Sequence, residues 1–188
     1  EFEQIYFSIT VSTIGNGMVT PNTSLEIPYG DDETYAFIPE DGYKIKEVIV
    51  DGEALEPNSS YTFYNITSNH TVSVEFEKIF HTIQVLCGEN GTANLPEINT
   101  LEHRSNLMCR FTPNEGYRLK DILVDGDSVG GDSTSYYFGN ISTDHTIEAV
   151  FEEILFYLTV HFGPEGTVTY PSDEGPITPS DKIAVRVG

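Results

Sequence analysis

The sequence predicts an all-β protein made of tandem repeats of about 75 residues, and three observations carry that expectation. The chain returns to the same blocks at a fixed spacing, apolar residues alternate with polar ones at period two, and no stretch sustains a 3.6-residue apolar period over three turns. Asp41–Gly52 (DGYKIKEVIVDG) returns as Glu115–Gly126 (EGYRLKDILVDG), with six of twelve positions identical and the rest exchanged like for like. Tyr61–Thr71 returns as Tyr136–Thr146, the offset moving from 74 to 75, so one residue is inserted in the loop between the blocks. An opening block recurs three times, around Gly17, Gly91 and Gly166. The boundaries follow: repeat one over 1–79, with 1–5 the tail of a preceding unit; repeat two over 80–154; and an incomplete third unit over 155–188.

Each element has its reason. Ile9 and Val11, Ile83 and Val85, and Leu158 and Val160 put apolar groups on one face of an opening strand. Gly17, Gly91 and Gly166 then read as turn glycines in the left-handed backbone of a tight hairpin. A middle strand carries Tyr35 and Phe37, or Leu107, Cys109 and Phe111, and stops at Pro39 or Pro113. Gly42-Tyr43 and Gly116-Tyr117 open the next strand, with Ile45 or Leu119 inward and Lys44 and Lys46, or Arg118 and Lys120, outward. Asp51-Gly52 and Asp125-Gly126 end it in a turn. Phe63 and Ile66, then Val72, Val74 and Phe76, supply two more short strands, and Asn65, His70, Asn140, His145 and Phe151 complete the matched positions. Six or seven strands per unit suit a small β-sandwich, the units arranged in series as a rod.

Composition limits the function. Nine Lys plus Arg against 30 Asp plus Glu give 9 − 30 = −21, which argues against nucleic acid or an anionic membrane as partner. The acidity belongs to the module: residues 5–79 hold 12 acids and 3 bases, and 80–154 hold 12 and 4. Eleven Phe and eleven Tyr separate the chain from acidic disordered sequences. The longest apolar run, Ile154–Leu158, is far short of the roughly 20 residues of a membrane span, so no membrane insertion is expected. The first residues lack a signal layout, so an export signal is expected upstream or already removed. Glu77-Lys-Ile-Phe80 and Glu153-Ile-Leu-Phe156 run from one unit into the next without a Gly, Ser or Pro-rich linker, and Ile79-Phe80 and Ile154-Leu155-Phe156 are expected to be partly buried at stiff joints.

The opening Gly-x-Val/Thr-x-x-Pro, Tyr29-Gly30, the Pro-x-x-Gly-Tyr block, Val-Asp-Gly and the closing Asp/Asn-His-Thr-Val/Ile-x-x-x-Phe together resemble the divergent internalin B-repeat family. The resemblance covers essentially the whole chain, with His103-Arg104 in repeat two departing from Tyr29-Gly30. It implies a β-grasp-like fold, a place on the bacterial cell surface or outside the cell, and a role in adhesion, spacing or partner binding. It implies no catalytic motif.

Candidate chemistry is sparse. Cys87 and Cys109 fall on inward positions of two strands, where repeat one has Thr13 and Tyr35, and suit either a disulfide or buried thiols. His70 and His145 recur without ligand-type neighbours and read as part of a turn capping the final strand. His81, His103 and His161 do not recur, so no metal box is visible, and Asp31-Asp32-Glu33 and Asp121, Asp125, Asp127 and Asp132 follow no EF-hand spacing. No cofactor is expected. Tyr64 and Tyr137 fall on the parity opposite to the core, and an exposed Tyr can stack on a sugar or anchor a protein contact. The reading is a non-enzymatic, semi-rigid spacer whose partners are neighbouring repeats; the runner-up is a module binding a glycan or protein through these tyrosines.

Overall fold

A computed structural model describes residues 3–22, 25–130, 133–159 and 182–186. Asp132, Val160, His161, Gly166 and Val187 lie outside the described residues, as do the side chains of Phe156, Leu158, Ile183 and Val185. Repeat one holds eight strands, one or two more than predicted: β1 (Tyr6–Ile14), β2 (Gly17–Thr20), β3 (Leu25–Pro28), β4 (Glu33–Pro39), β5 (Tyr43–Val50), β6 (Glu53–Leu55), β7 (Ser60–Phe63) and β8 (His70–Lys78). Repeat two holds the same series: β9 (Phe80–Cys87), β10 (Gly91–Ala93), β11 (Ile98–Glu102), β12 (Leu107–Pro113), β13 (Tyr117–Val124), β14 (Asp127–Ser128), β15 (Ser135–Phe138) and β16 (His145–Glu153). The extra strands are short edge pieces such as β6 and β14, which carry no alternating pattern to read.

Each repeat folds into two sheets. The larger runs β3-β1-β8-β5-β6 in repeat one and β11-β9-β16-β13-β14 in repeat two; the smaller runs β2-β4-β7 and β10-β12-β15. The first and last strands lie parallel, Ile9 opposite His70 and Ile83 opposite His145, while β1–β3, β2–β4, β4–β7, β5–β6 and β5–β8 in repeat one and β10–β12, β12–β15, β13–β14 and β13–β16 in repeat two are antiparallel. A register shift recurs between Ile45 and Glu47 and between Leu119 and Asp121. In repeat one, Ile9, Val48, Val72, Val74 and Phe76 of the larger sheet join Val19, Tyr35, Phe37 and Phe63 of the smaller in one buried cluster. The unit is therefore a small β-sandwich whose first and last strands pair in parallel. After repeat two, β17 (Leu155–Thr159) pairs antiparallel with β18 (Lys182–Arg186), as β1 pairs with β3.

By contacts the chain divides into two compact bodies: Glu1–His81 with Thr100–Ser105 and Gly139–Thr143, and Thr82–Asn99 with Asn106–Phe138 and Asp144–Gly188. No helix among the described residues is long and apolar enough to cross a membrane.

Three expectations need correction or completion. Gly17 and Gly91 do not adopt positive φ; the left-handed residue of the first hairpin is Gly15, at 83°. Gly17 is required because a Cβ there would stand 2.6 Å from the Phe76 ring, and Gly91 meets Phe151 even more tightly. Phe80, expected to be partly buried, is 53% exposed, because Ile83 and Val85 set the inward parity of β9 and Phe80 falls on the other face; Leu155 is exposed too, whereas Ile79 and Ile154 are half-buried. The Tyr29-Gly30 turn survives its replacement by His103-Arg104. Gly30 (φ 87°) and Arg104 (φ 63°) both occupy the left-handed region, and both donate a backbone N–H, to Ile66 at 2.8 Å and to Ile141 at 2.7 Å.

Candidate functional site

One recurring polar feature of the fold is a latch between the Asp-Gly turn and the closing strand. Asp51 and Gly52 both take positive φ, 51° and 85°, as do Asp125 and Gly126 at 54° and 88°, the conformation of a tight hairpin turn in which Asp and Gly are favoured. That turn brings the carboxylate to the start of β8 or β16. Asp51 Oδ2 accepts from His70 Nδ1 at 2.6 Å and Oδ1 accepts from the Thr71 backbone N–H at 2.8 Å, while the Asp51 N–H donates to the Thr71 carbonyl at 3.0 Å. Repeat two copies all three contacts with Asp125, His145 and Thr146, at 2.6, 2.8 and 3.0 Å.

Each imidazole also leans on a core ring, His70 on Phe63 at 4.9 Å between centroids and His145 on Phe138 at 5.4 Å. Because a carboxylate only accepts, the proton sits on Nδ1 of each histidine. Burial pushes the Asp51 carboxyl up, but the hydrogen bonds from His70 and Thr71 and the charge on His70 outweigh it and leave the carboxyl below its ordinary value. For Asp125 the hydrogen bond from His145 leads, joined by the Thr146 amide, and also lowers it. Sequence reading placed His70 and His145 in a capping turn and missed their partner. The signal was there: Asp in Val-Asp-Gly and His in His-Thr recur together, 19 and 20 residues apart.

The other candidates are dispersed. Cys87 and Cys109 are free thiols in different sheets, the first half-buried and the second buried; burial raises both, Cys109 to about 11. Cys87, with Val85, Ala93, Leu95, Glu97 and Ala149, lines a cleft of about 540 Å³. The matching cleft of repeat one, lined by Val11, Thr13, Gly17, Met18, Val19 and Asn22, holds about 250 Å³. Ala93 and Ala149 on the wall of the repeat-two cleft stand where repeat one has the larger Val19 and Val74. Among the described residues no three His, Cys, Asp or Glu side chains gather for a metal ion.

Tyr64 and Tyr137 are both exposed, at 76% and 56%, and belong to different bodies. Tyr137 lies opposite exposed Met108 across β12 and β15, with Arg110 opposite Ser135 one step along the same face. Tyr64 follows β7, at the position of Gly139 in repeat two, so the two tyrosines make no repeated platform.

No curated protein matches the chain. Residues 7–80 match the family described as the divergent InlB B-repeat domain, a span that runs from the second residue of β1 to the first residue of β9. Residues 7–80 are thus similar to the divergent InlB B-repeat family, a likeness that suggests a repeat domain of a bacterial surface protein.

Proposed function

We propose that the chain is a non-enzymatic segment of such a surface protein and acts as a semi-rigid spacer, its repeats holding other parts of a longer chain apart. The observation that carries this reading is the treatment of Ile79, the single residue between β8 and β9. Its N–H donates to the Gly42 carbonyl at 2.8 Å and its carbonyl accepts from the His103 N–H at 2.9 Å, all within the first body. Ile154 repeats the first bond, to Gly116 at 2.8 Å, and Ile5 repeats the second, from Tyr29 at 2.9 Å. A linker would leave these groups to water. Arg104 with Asp41 at 2.8 Å and Lys78 with Glu102 at 2.7 Å add exposed ion pairs, which solvent and salt screen.

Small-angle scattering on residues 1–154 tests the spacer. The expected result is an elongated particle with a narrow distribution of lengths, broadened by Arg104→Gly, which keeps the left-handed turn and removes the ion pair. A compact particle contradicts it. The second reading, a glycan- or protein-binding module, is favoured by the exposed Tyr137, Met108 and Arg110 face; a glycan array and pull-down with Tyr137→Ala as the comparison separate the two.

A further inference from the structure

Where repeat one packs Phe7 against Tyr29, with ring centroids 6.2 Å apart and planes 47° apart, repeat two packs His81 against His103, at 5.2 Å and 49°. Both rings changed together while the backbone stayed: Tyr29 donates to Ile5 and His103 to Ile79, both at 2.9 Å. Packing at this place therefore needs two rings and does not need imidazole. What the substitution adds is a pair of nitrogens facing each other, His81 Nε2 and His103 Nδ1, 2.9 Å apart and partly buried.

We infer that His81 and His103 form a binding site for a divalent transition metal of tetragonal geometry, Cu²⁺ above all. Metal–imidazole bonds of about 2.0–2.1 Å to two nitrogens 2.9 Å apart subtend about 90°, the angle between neighbouring ligands in a square-planar or tetragonal site. Tetrahedral zinc would require the nitrogens to separate to roughly 3.3 Å. At present one ring's N–H donates to the other's bare nitrogen. On binding, the donating ring moves that proton to its other nitrogen, and both rings turn so that their lone pairs converge on the metal beside the N–N line.

For His103 that other nitrogen, Nε2, lies 3.8 Å from Asp41 Oδ1, and Arg104 holds the same carboxylate at 2.8 Å. A ligating histidine is commonly oriented by a carboxylate on its far side. Lys78 and Glu102, bonded to each other at 2.7 Å, are the further charges on the flanking residues. Among the described residues the two imidazoles are the protein ligands of this site, and solvent would fill the remaining positions. His81, His103, Asp41 and Arg104 all belong to the first body, and the site stands independently of the spacer reading.

The test uses the whole 188-residue chain without a histidine tag. Cu²⁺ is titrated by calorimetry and followed by electron paramagnetic resonance, with Ni²⁺ and Zn²⁺ as comparators. The wild type should bind one Cu²⁺ with nitrogen splitting from two imidazoles. The double variant His81→Phe with His103→Tyr restores the pair that repeat one folds with, so it should melt as the wild type does and bind about tenfold or more weaker. His103→Gln, a smaller change, should show the same loss. Equal Cu²⁺ affinity in these variants would place the ion on other groups and overturn the site, as would the absence of a stoichiometric site in the wild type.

Discussion

The two repeats differ most where their cores are filled and least where their turns are closed. Tyr35 fills the centre of repeat one, fully buried, with a hydroxyl that has no hydrogen-bond partner; its counterpart is Cys109, buried and smaller. Val19 and Val74 become Ala93 and Ala149, and Phe7 with Tyr29 becomes His81 with His103. Against that drift stand the Asp–His latch, the left-handed Asp-Gly turns at 51–52 and 125–126, and the glycine under a phenylalanine ring, kept in both copies. The module is thus specified by its closures. Core volume is negotiable as long as the two sheets still meet, whereas a turn that needs positive φ or a backbone that must touch a ring admits few residues.

The largest effect should come from breaking a shared closure. Gly17→Ala forces a methyl into the Phe76 ring and should cost about 1–3 kcal/mol in denaturant unfolding. Gly91→Ala should cost less despite its tighter contact, because Phe151 is half-buried and can swing aside while Phe76 is 3% exposed. Equal losses would mean that the rings do not decide the cost.

Next is the latch. Asp51→Ala or Asp125→Ala removes the acceptor and puts a Cβ residue without a polar side chain at positive φ, with an expected loss of about 1 kcal/mol, milder for Asn, which tolerates that backbone. Both carboxyls titrate below their ordinary value near 3.8 when folded and regain it on unfolding. The latch contribution is therefore complete above about pH 3.8 and is lost as the pH falls through the lowered folded values. Melting curves from pH 6 down to about pH 2 should fall less steeply for Asp51→Asn with Asp125→Asn than for the wild type.

Comparable in size to the latch, and of opposite sign in the two copies, are the core changes. Tyr35→Phe removes an orphan hydroxyl and should stabilise repeat one by about 1 kcal/mol, whereas Cys109→Ser buries a new one and should destabilise repeat two by a similar amount. Thiol labelling at pH 8 should modify Cys87 first, and Cys109 only on unfolding, since burial shields the latter and raises it to about 11.

Much of the fold was legible because period-two alternation at Ile9, Val11, Tyr35, Phe37, Val72 and Val74 reports which face of a strand is buried, and a repeated block reports it twice. What escaped was pairing across the chain. Sequence distance hides that Asp51 meets His70, that Gly17 lies beneath Phe76, and that His81 faces His103, because these contacts are made by the parallel pairing of first and last strands and by returning loops. Phe80 was misread for a local reason: an apolar residue at a joint looks buried until the strand parity is followed through it.

The central claim is that the residue between closing and opening strands is held, not loose, and amide hydrogen exchange at Ile79 reads it directly. Its N–H bond to Gly42 and its carbonyl bond from His103 predict that the Ile79 and His103 amides exchange only with global opening, as slowly as those of β8, with Ile154 bonded to Gly116 as the internal comparison. Exchange of Ile79 and His103 within about tenfold of an unprotected amide, while β8 stays protected, would make the joint a flexible link and contradict the spacer.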